Sequence, residues 1–282
     1  MSTSDLSYKA YSFADHKVVY LILEETFKAF GVHYYLIGAN ARDVQLYKAG
    51  GKPNRGTADI DFAVMLPDIK TYNDLKNQLK EKGFADAVGN LPYRLYYEAS
   101  NTVVDLLPYG EIAQKYTVSF TERELELSVI GLEEVGLETE NFEHPEGFTM
   151  HVTPAHGIVI LKLISWSEKP DRTKDLQDIK ALLEVAWNLY EDEFFKESSI
   201  YSDLFNEPNF DTHLAAARVM GRKMQVVLNL NAQLKQLIVN EIQKELGDHA
   251  GLKSQQMVWG TNQTIEEIRN IFNALYKGLN DQ

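Results

Sequence analysis

Two aspartates separated by a single residue are the first candidates for chemistry in this sequence. Asp59 and Asp61 flank Ile60 in the segment RGTADIDF, which otherwise has the apolar pattern of a buried strand. Alternate residues of a strand share a face, so the two carboxylates point the same way, with Cα atoms about 6.6 Å apart. Like charges on an apolar segment are costly unless they face water or share a cation. The pair therefore indicates either solvent-facing aspartates on an edge strand or part of a divalent-cation site.

A third carboxylate, Asp105, is the only charge in a later strand-like run of valine and leucine. Such an isolated carboxylate is rare unless it is paired or bound to a metal. One interpretation pairs Asp105 with an arginine, either Arg94 or Arg55. The other brings it together with Asp59 and Asp61 to hold two Mg²⁺ or Mn²⁺ ions. Two-metal sites of this kind catalyse phosphoryl transfer.

The turn at Gly38 is the candidate for binding phosphate. Small Ala39 and polar Asn40 follow this glycine and open a predicted helix. Free backbone amides at a helix start form a phosphate cradle when no bulky side chain obstructs them. The alternative is an ordinary tight turn between a strand and a helix. Arg42 and Arg55 are candidates for charge neutralisation, because guanidinium forks suit phosphate oxygens.

Lys162 is the only charged residue in the apolar helical segment GIVILKLISW. It is either a lysine whose stem covers apolar surface while its ammonium reaches water, or a cation aimed at nucleotide phosphates or an acidic site residue. Asp175 and Asp178 lie three residues apart and so share a helix face. Helix capping or surface salt bridges would also explain this second pair.

The elements that must position these residues alternate between helix and strand up to about residue 110. Apolar periodicity predicts the order α-β-α-β-α-β-β, with the first helix closed by Gly31. Short strand-like pieces follow, at YTVSF, LSVIGLEEV and GFTMHV. From the helix start at Thr153-Pro154 only helices are predicted, including one long helix over 212–247.

These elements predict an α+β fold class. A small mixed β-sheet core flanked by helices would be followed by an all-helical C-terminal domain. We place the boundary between residues 1–152 and 153–282, where the pattern changes from mixed to helical.

Composition narrows the classes of protein. The 282 residues are 44% apolar, which is enough for one large domain or two modest ones, and they include no cysteine. Disulfides and cysteine–zinc sites are thereby excluded, and a cytoplasmic location is expected. The apolar runs are too short to span a bilayer, so no membrane association is predicted. The formal charge of −13 argues against a broad nucleic-acid-coating surface, although it allows a local basic groove for one end of an RNA.

The combination of a glycine turn, a D-x-D strand and a later aspartate resembles the nucleotidyltransferase superfamily related to DNA polymerase β. More narrowly, the chain resembles the AbiEii/AbiGii toxin family of nucleotidyltransferases. Members share a G-A-x-A-R-D turn, an R-x-T-x-D-I-D-F strand and a later V-D-L-hydrophobic-P segment. These motifs match at 38–43, 55–62 and 104–108. The resemblance extends over about residues 33 to 185.

The family resemblance also suggests roles in the nucleotide site. In the helical half, a lysine precedes a K-D-x-x-D segment, here Lys162 and the residues 174–178, and Lys162 and Asp178 would reach the nucleotide. The wider superfamily usually has glycine or serine where this chain has Ala39. Asn40 or Thr57 would then supply the polar contact that a serine hydroxyl provides.

The activity that this resemblance implies is transfer of a nucleoside monophosphate from an NTP to an acceptor hydroxyl, with release of pyrophosphate. Asp59 and Asp61 would hold the ion bound to the triphosphate and share a second ion with Asp105, which would also act as the base. The helical half would close the nucleotide cleft. The acceptor would be tRNA or another RNA, and an antitoxin protein would be a partner.

Two other functions stay open. One is a nucleotidyltransferase that modifies a small molecule such as an antibiotic. The other is a non-catalytic nucleotide-binding protein that kept the fold, which the presence of all three carboxylates disfavours.

Overall fold

The chain divides into two compact units. The computed structural model describes residues 7–53, 55–89, 91–207, 210–247, 249 and 251–281. The first unit comprises the described residues within Met1–Val44 and Lys52–Pro154, and the second those within Gln45–Gly51 and Ala155–Gln282. In the described residues, no helix combines the length and apolarity needed to cross a bilayer.

Strands dominate the first unit. Its described residues form nine of them: β1 Tyr34–Ile37, β2 Asp59–Met65, β3 Phe84–Asp86, β4 Arg94–Tyr97, β5 Thr102–Tyr109, β6 Thr117–Phe120, β7 Leu125–Ser128, β8 Glu140–His144 and β9 Phe148–Val152. Four helices belong to this unit or begin in it: α1 Lys17–Phe30, α2 Gly38–Lys48, α3 Ile69–Glu81 and α4 Leu132–Gly136.

Seven of these strands form one mixed sheet in the order β3-β4-β5-β2-β1-β9-β8, and β6 and β7 form a separate hairpin. The pairs β2–β5 and β1–β9 are parallel, and the other neighbours in the large sheet are antiparallel. Strand β2 is therefore central, with three strands on either side. The edge-strand interpretation of its two aspartates is wrong.

The core of the first unit is built on these central strands. Leu36, Ile60, Val64, Val104 and Leu106 are fully buried. Helices α1 and α3 pack against each other, and α1 ends at Gly31 in the left-handed conformation, as predicted. The burial of these aliphatic side chains is the main favourable term that holds the sheet together.

Helices alone make up the regular structure of the described part after Val152, apart from one short 3₁₀ turn. They are α5 Ala155–Glu168, α6 Thr173–Glu184, α7 Ala186–Phe194, α8 Thr212–Leu228, α9 Ala232–Leu246, α10 Leu252–Val258 and α11 Ile265–Asn280. A mixed sheet flanked by helices and followed by a helical C-terminal part is the predicted fold class, which is confirmed.

Several element predictions were inaccurate. Strands β3 and β8 were not predicted, and the strand-like piece LSVIGLEEV contains only the end of β7, followed by α4 after Gly131 at φ 87°. The predicted long helix over 212–247 is two helices. Asn231 breaks it, because its side chain accepts hydrogen bonds from the amides of Gln233 and Leu234 and so caps a new helix. The helix start predicted at 153–154 agrees with α5, which begins at Ala155.

Candidate functional site

Strand β2 presents Asp59 and Asp61 on one face of the sheet. Both are partly exposed, whereas Ile60 and Phe62 between and beyond them are buried at 0% and 5% exposure. The alternation follows from the two-residue period of a strand. The alternation of aspartate with Ile60 and Phe62 thus places the carboxylates on one face of the strand and buries the apolar side chains on the other.

The register of the sheet aligns the third carboxylate with this pair. Asp61 lies opposite Asp105 on the parallel neighbour β5, and Asp105 lies opposite Arg94 on β4. Residues in register on adjacent strands have side chains on the same face, with strands about 4.8 Å apart. Asp59, Asp61 and Asp105, called here the carboxylate row, therefore lie together with Arg94 on one face at the middle of the sheet.

Arg94 binds two members of the carboxylate row. Its Nε donates to Oδ1 of Asp105 and its Nη2 to Oδ2, both at 2.7 Å, and Nη2 also donates to Oδ2 of Asp59 at 3.2 Å. The Asp105 side chain is only 8% exposed. The hydrogen bonds with Asp105 raise the pKa of the Arg94 guanidinium above its usual range, against the opposing effect of burial. The sequence interpretation that paired Asp105 with Arg94 describes this arrangement.

The start of α2 meets the carboxylate row at Gly38, which has φ 69°. A Cβ placed on Gly38 would lie 2.9 Å from Cγ of Asp61 and closer still to its Oδ2. Any side chain here would collide with that carboxylate. Glycine is therefore required both by the backbone conformation and by the close approach of Asp61 to the first turn of the helix.

Asn40 and Tyr20 link α2 to the strand that carries the aspartates. Asn40 is fully buried and its Nδ2 donates to the carbonyl oxygen of Asp59 at 2.7 Å. The Tyr20 hydroxyl donates to Oδ1 of Asn40 at 3.2 Å. Burial raises the pKa of Tyr20 well above its usual range, and the carboxylates of Asp61 and Asp43 raise it further, so the hydroxyl stays protonated. Asn40 thus positions the backbone of Asp59.

Arg42 lies inside the first unit. Its side chain is fully buried, with Nε and Nη2 donating to Oδ1 of Asp43 at 2.8 and 2.6 Å, and Nη2 also donating to the carbonyl oxygen of Arg55 at 2.9 Å. Asp43 in turn accepts a hydrogen bond from the amide of Ser12 at 2.8 Å. Arg42 therefore braces the segment that leads into β2, and its predicted contact with phosphate stays a prediction.

The remaining predicted residues of the first unit lie around the same segment. Ala39 is 7% exposed, and Arg55 and Thr57 are partly exposed. The Thr57 hydroxyl accepts a hydrogen bond from the amide of Asp59 at 3.3 Å, which ties the loop to the first residue of β2. The structure therefore places Thr57 beside Asp59, with its oxygen engaged by the backbone.

Lys162 and Asp178 lie in the second unit and contact each other. The Lys162 ammonium is 2.8 Å from Oδ1 of Asp175 and 2.8 Å from Oδ2 of Asp178. The Asp178 side chain is fully buried. Lys162 thereby joins α5 to α6. The predicted contact of Lys162 and Asp178 with a nucleotide stays a prediction.

The donor set of the carboxylate row suits a hard divalent cation, since Mg²⁺ prefers carboxylate oxygens. In the described part of the chain, no three acidic or imidazole side chains are close enough together to form a ready-made metal site. Arg94 instead bridges Asp59 and Asp105, and uses the oxygens that an ion would need. The donor chemistry therefore fits, and the guanidinium supplies the positive charge in this arrangement.

Asp43 and Tyr20 are two residues of this region that the sequence does not single out. Asp43 lies within the turn motif, directly after Arg42, so an adjacent pair of opposite charges was its only signal. Tyr20 lies in α1 with no motif around it, and its link to Asn40 depends on how the helix packs.

Comparison with known proteins finds no matching family model and no matching curated protein. Among solved structures, an antigenic nucleotidyltransferase-like protein from Paracoccidioides brasiliensis is similar, with 17% identity, 81% of this chain and 93% of that chain covered, and a TM-score of 0.42. The antibiotic-resistance factor ANT(2'')-Ia is similar at 12% identity, with 78% and 89% covered and a TM-score of 0.32.

Proposed function

We propose that this chain is a metal-dependent nucleotidyltransferase, which moves a nucleoside monophosphate from an NTP to an acceptor hydroxyl. The observation that carries the proposal is the carboxylate row. Asp61 and Asp105 are in register on neighbouring central strands, Asp59 shares their face, and Asp61 lies against the glycine that opens α2. Strand, turn and helix start thus bring carboxylates next to the first turn of a helix, an arrangement that would suit transfer of a triphosphate's α-phosphoryl group.

Asp59, Asp61 and Asp105 would hold two Mg²⁺ ions, or Mn²⁺, which would supply charge neutralisation for the triphosphate and the acceptor oxygen. The backbone amides after Gly38 would bind the β- and γ-phosphates. The Asp105 carboxylate would accept the proton of the acceptor hydroxyl. The acceptor oxygen would form a bond to the α-phosphorus as the bond from that phosphorus to the bridging oxygen breaks, and pyrophosphate would leave.

The other predicted residues take two kinds of role in this proposal. Asn40, Arg42 and Thr57 position the backbone around β2 through the hydrogen bonds described above. Arg55 would contribute positive charge toward the phosphates, and the nucleotide contact of Lys162 stays a prediction of the family resemblance. Catalysis would consist mostly of positioning and charge stabilisation, as is usual in phosphoryl transfer.

The acceptor class rests on the family resemblance of the sequence. Motifs at 38–43, 55–62 and 104–108 match the AbiEii/AbiGii toxin family, so we propose an RNA acceptor such as tRNA and an antitoxin protein as the physiological partner. A local cationic contact would have to receive the RNA, because the chain as a whole is strongly acidic.

Label transfer tests the proposal directly. The full-length chain is incubated with Mg²⁺, total tRNA and each α-labelled NTP in turn, beside the double variant Asp59→Ala/Asp61→Ala. We expect labelled tRNA with the native chain and a loss of about 10³-fold or more in the double variant, because both ions lose ligands.

Two outcomes would contradict parts of the proposal. Label transfer by the double variant at the native rate would show that the carboxylate row does not take part in catalysis. Labelling of an aminoglycoside in a parallel reaction, without labelling of tRNA, would overturn the proposed acceptor while leaving the reaction class intact.

A further inference from the structure

Arg94 neutralises carboxylates that come from two different strands. It lies on β4 opposite Asp105, and its guanidinium fork occupies both Asp105 oxygens and one oxygen of Asp59. The group reaches across β5 to the central strand, so one cation joins carboxylates from two strands. This is the charge-bridging task that a divalent ion performs in the proposed function.

Two cations cannot share these oxygens at low cost. A guanidinium bound to both oxygens of Asp105 would repel an ion placed on the same carboxylate. The formal charge of Asp59, Asp105 and Arg94 together is −1, whereas release of the arginine leaves −2 on the two carboxylates. Asp59 and Asp105 therefore attract a divalent cation more strongly after Arg94 has left them than while Arg94 is bound to them.

The surroundings of Arg94 also permit its departure. Its side chain is 30% exposed and that of Asp59 is 39% exposed. An arginine with this access to water regains hydration when it leaves a carboxylate, so its release avoids the penalty of stranding a buried charge. Asp105, at 8% exposure, is the partner that stays behind and needs a replacement cation.

We propose that Arg94 is a built-in counter-ion for the carboxylate row, and that it releases Asp59 and Asp105 when a divalent cation binds them. The proposal rests on the proposed function, because it takes the same carboxylates as ion ligands. In this role Arg94 is a positioning residue. It sets the affinity of the site for the divalent ion, and it neutralises the carboxylate row when the ion is absent. A purely structural Arg94 would stabilise the sheet without any connection to metal.

Binding of Mn²⁺ to Arg94→Gln separates these two roles. Glutamine keeps a polar side chain of moderate length and removes the charge. In electron paramagnetic resonance titrations of the full chain with Mn²⁺, we expect the variant to bind about tenfold more tightly than the native protein, because no guanidinium has to be displaced. Equal or weaker binding by a folded variant would overturn the proposal.

Thermal unfolding gives a second measurement that is independent of activity. In EDTA, Arg94→Gln should melt below the native chain, since the carboxylates then repel each other. Saturating Mn²⁺ should raise its midpoint by about 3 °C more than it raises that of the native chain. A deficit that Mn²⁺ leaves unchanged would show that Arg94 is only structural.

Arg218→Gln is the matched control. Arg218 also makes a bidentate pair, with its Nε and Nη2 each 2.8 Å from an oxygen of Asp281, but it lies in the helical unit. We expect a lower midpoint in EDTA, unchanged Mn²⁺ affinity and no recovery with Mn²⁺.

Failure of this inference can be distinguished from failure of the proposed function. Nucleotidyl transfer by the native chain, together with equal Mn²⁺ affinity in Arg94→Gln, would overturn the counter-ion role and leave the function standing. Tighter Mn²⁺ binding by the variant, without transfer from any NTP by the native chain, would support the counter-ion role and overturn the proposed function. Absence of Mn²⁺ binding in both proteins would overturn the counter-ion role and the metal dependence together.

Discussion

At the scale of single residues, Gly38 shows how one missing Cβ organises the carboxylate row. The residue combines a φ of 69° with direct approach of the Asp61 carboxylate. The first feature favours glycine at any position, whereas the second is specific to this turn. Gly31, at the end of α1, has a similar φ of 63° but open space around it. A side chain at Gly31 would therefore meet only the cost of the left-handed backbone, whereas a side chain at Gly38 would also collide with Asp61.

Alanine substitution at both positions tests this difference. We expect Gly31→Ala to lower the free energy of unfolding by about 1 kcal/mol, the usual cost of a left-handed alanine. Gly38→Ala should lower it by about 3 kcal/mol, because the collision with Asp61 adds a steric cost. Urea unfolding followed by far-ultraviolet circular dichroism measures both values. Equal losses in the two variants would show that Asp61 does not lie against the turn.

The carboxylates could be found from the sequence, whereas the contacts that join them to their neighbours could not. Asp59, Asp61 and Asp105 stood out because each is a charge in an otherwise apolar strand, which is a local signal. The pairing of Arg94 with Asp105 depends on the register of β4 against β5, for which the sequence offered only alternatives. The burial of Arg42 likewise depends on Asp43 and on the loop at Arg55, which lies thirteen positions along the chain.

At the scale of elements, apolar segments bounded by a turn or capping residue were predicted best. Helices α1, α3 and α11 follow clear apolar periods, with glycine, aspartate or threonine at several ends, and α5 and β1 are apolar runs that are mostly buried. Strand β3 has only three residues, and β8 alternates buried Phe142 and His144 with acidic side chains that resemble a turn. Short or acidic elements give too few apolar positions for a period to show.

Helices α8 and α11 cross at two glycines, a feature that helical periodicity alone does not reveal. A Cβ on Gly278 would lie 2.9 Å from the amide nitrogen of Arg222, and closer still to the carbonyl oxygen of Arg218. A Cβ on Gly221 would lie 3.0 Å from the Cα of Gly278. Backbone atoms cannot move aside as a flexible side chain can, so this crossing depends on both glycines.

Gly278→Ala should therefore destabilise the helical unit even though alanine is the better helix former. The intrinsic gain is about 1 kcal/mol, and we expect the collision to outweigh it, with a net loss of about 2 kcal/mol. All three tryptophans lie in this unit, at positions 166, 187 and 259, so urea unfolding followed by tryptophan fluorescence reports on it. Gly247→Ala is the control, because nothing lies within 4 Å of its Cβ position. Unchanged stability of Gly278→Ala would contradict the close crossing.

At the scale of the whole molecule, histidines are the side chains whose ordinary pKa lies closest to neutral pH, so they govern how the stability of this acidic chain changes there. The formal charge is −13 and there are seven histidines. His156 in α5 is 8% exposed, and its burial lowers its pKa from 6.5 to about 3, with a smaller contribution from the positive charge of Lys223. The native imidazole is thus neutral over the range in which the unfolded chain takes up a proton. Stability must then fall as the pH drops from 6.5 toward 3.

His156→Gln should remove this part of the acid sensitivity. Between pH 7 and pH 5 the unfolded native chain gains a proton at His156 that the folded chain cannot bind, which costs about 2 kcal/mol of unfolding free energy. Tryptophan-monitored urea unfolding at the two pH values should therefore show a smaller difference for His156→Gln than for the native chain, by about that amount. Other histidines contribute equally to both proteins and cancel. His213→Gln, which removes an exposed imidazole of the same unit, controls for loss of a histidine as such. An unchanged pH difference in His156→Gln would mean that His156 binds its proton in the folded state as readily as in the unfolded chain.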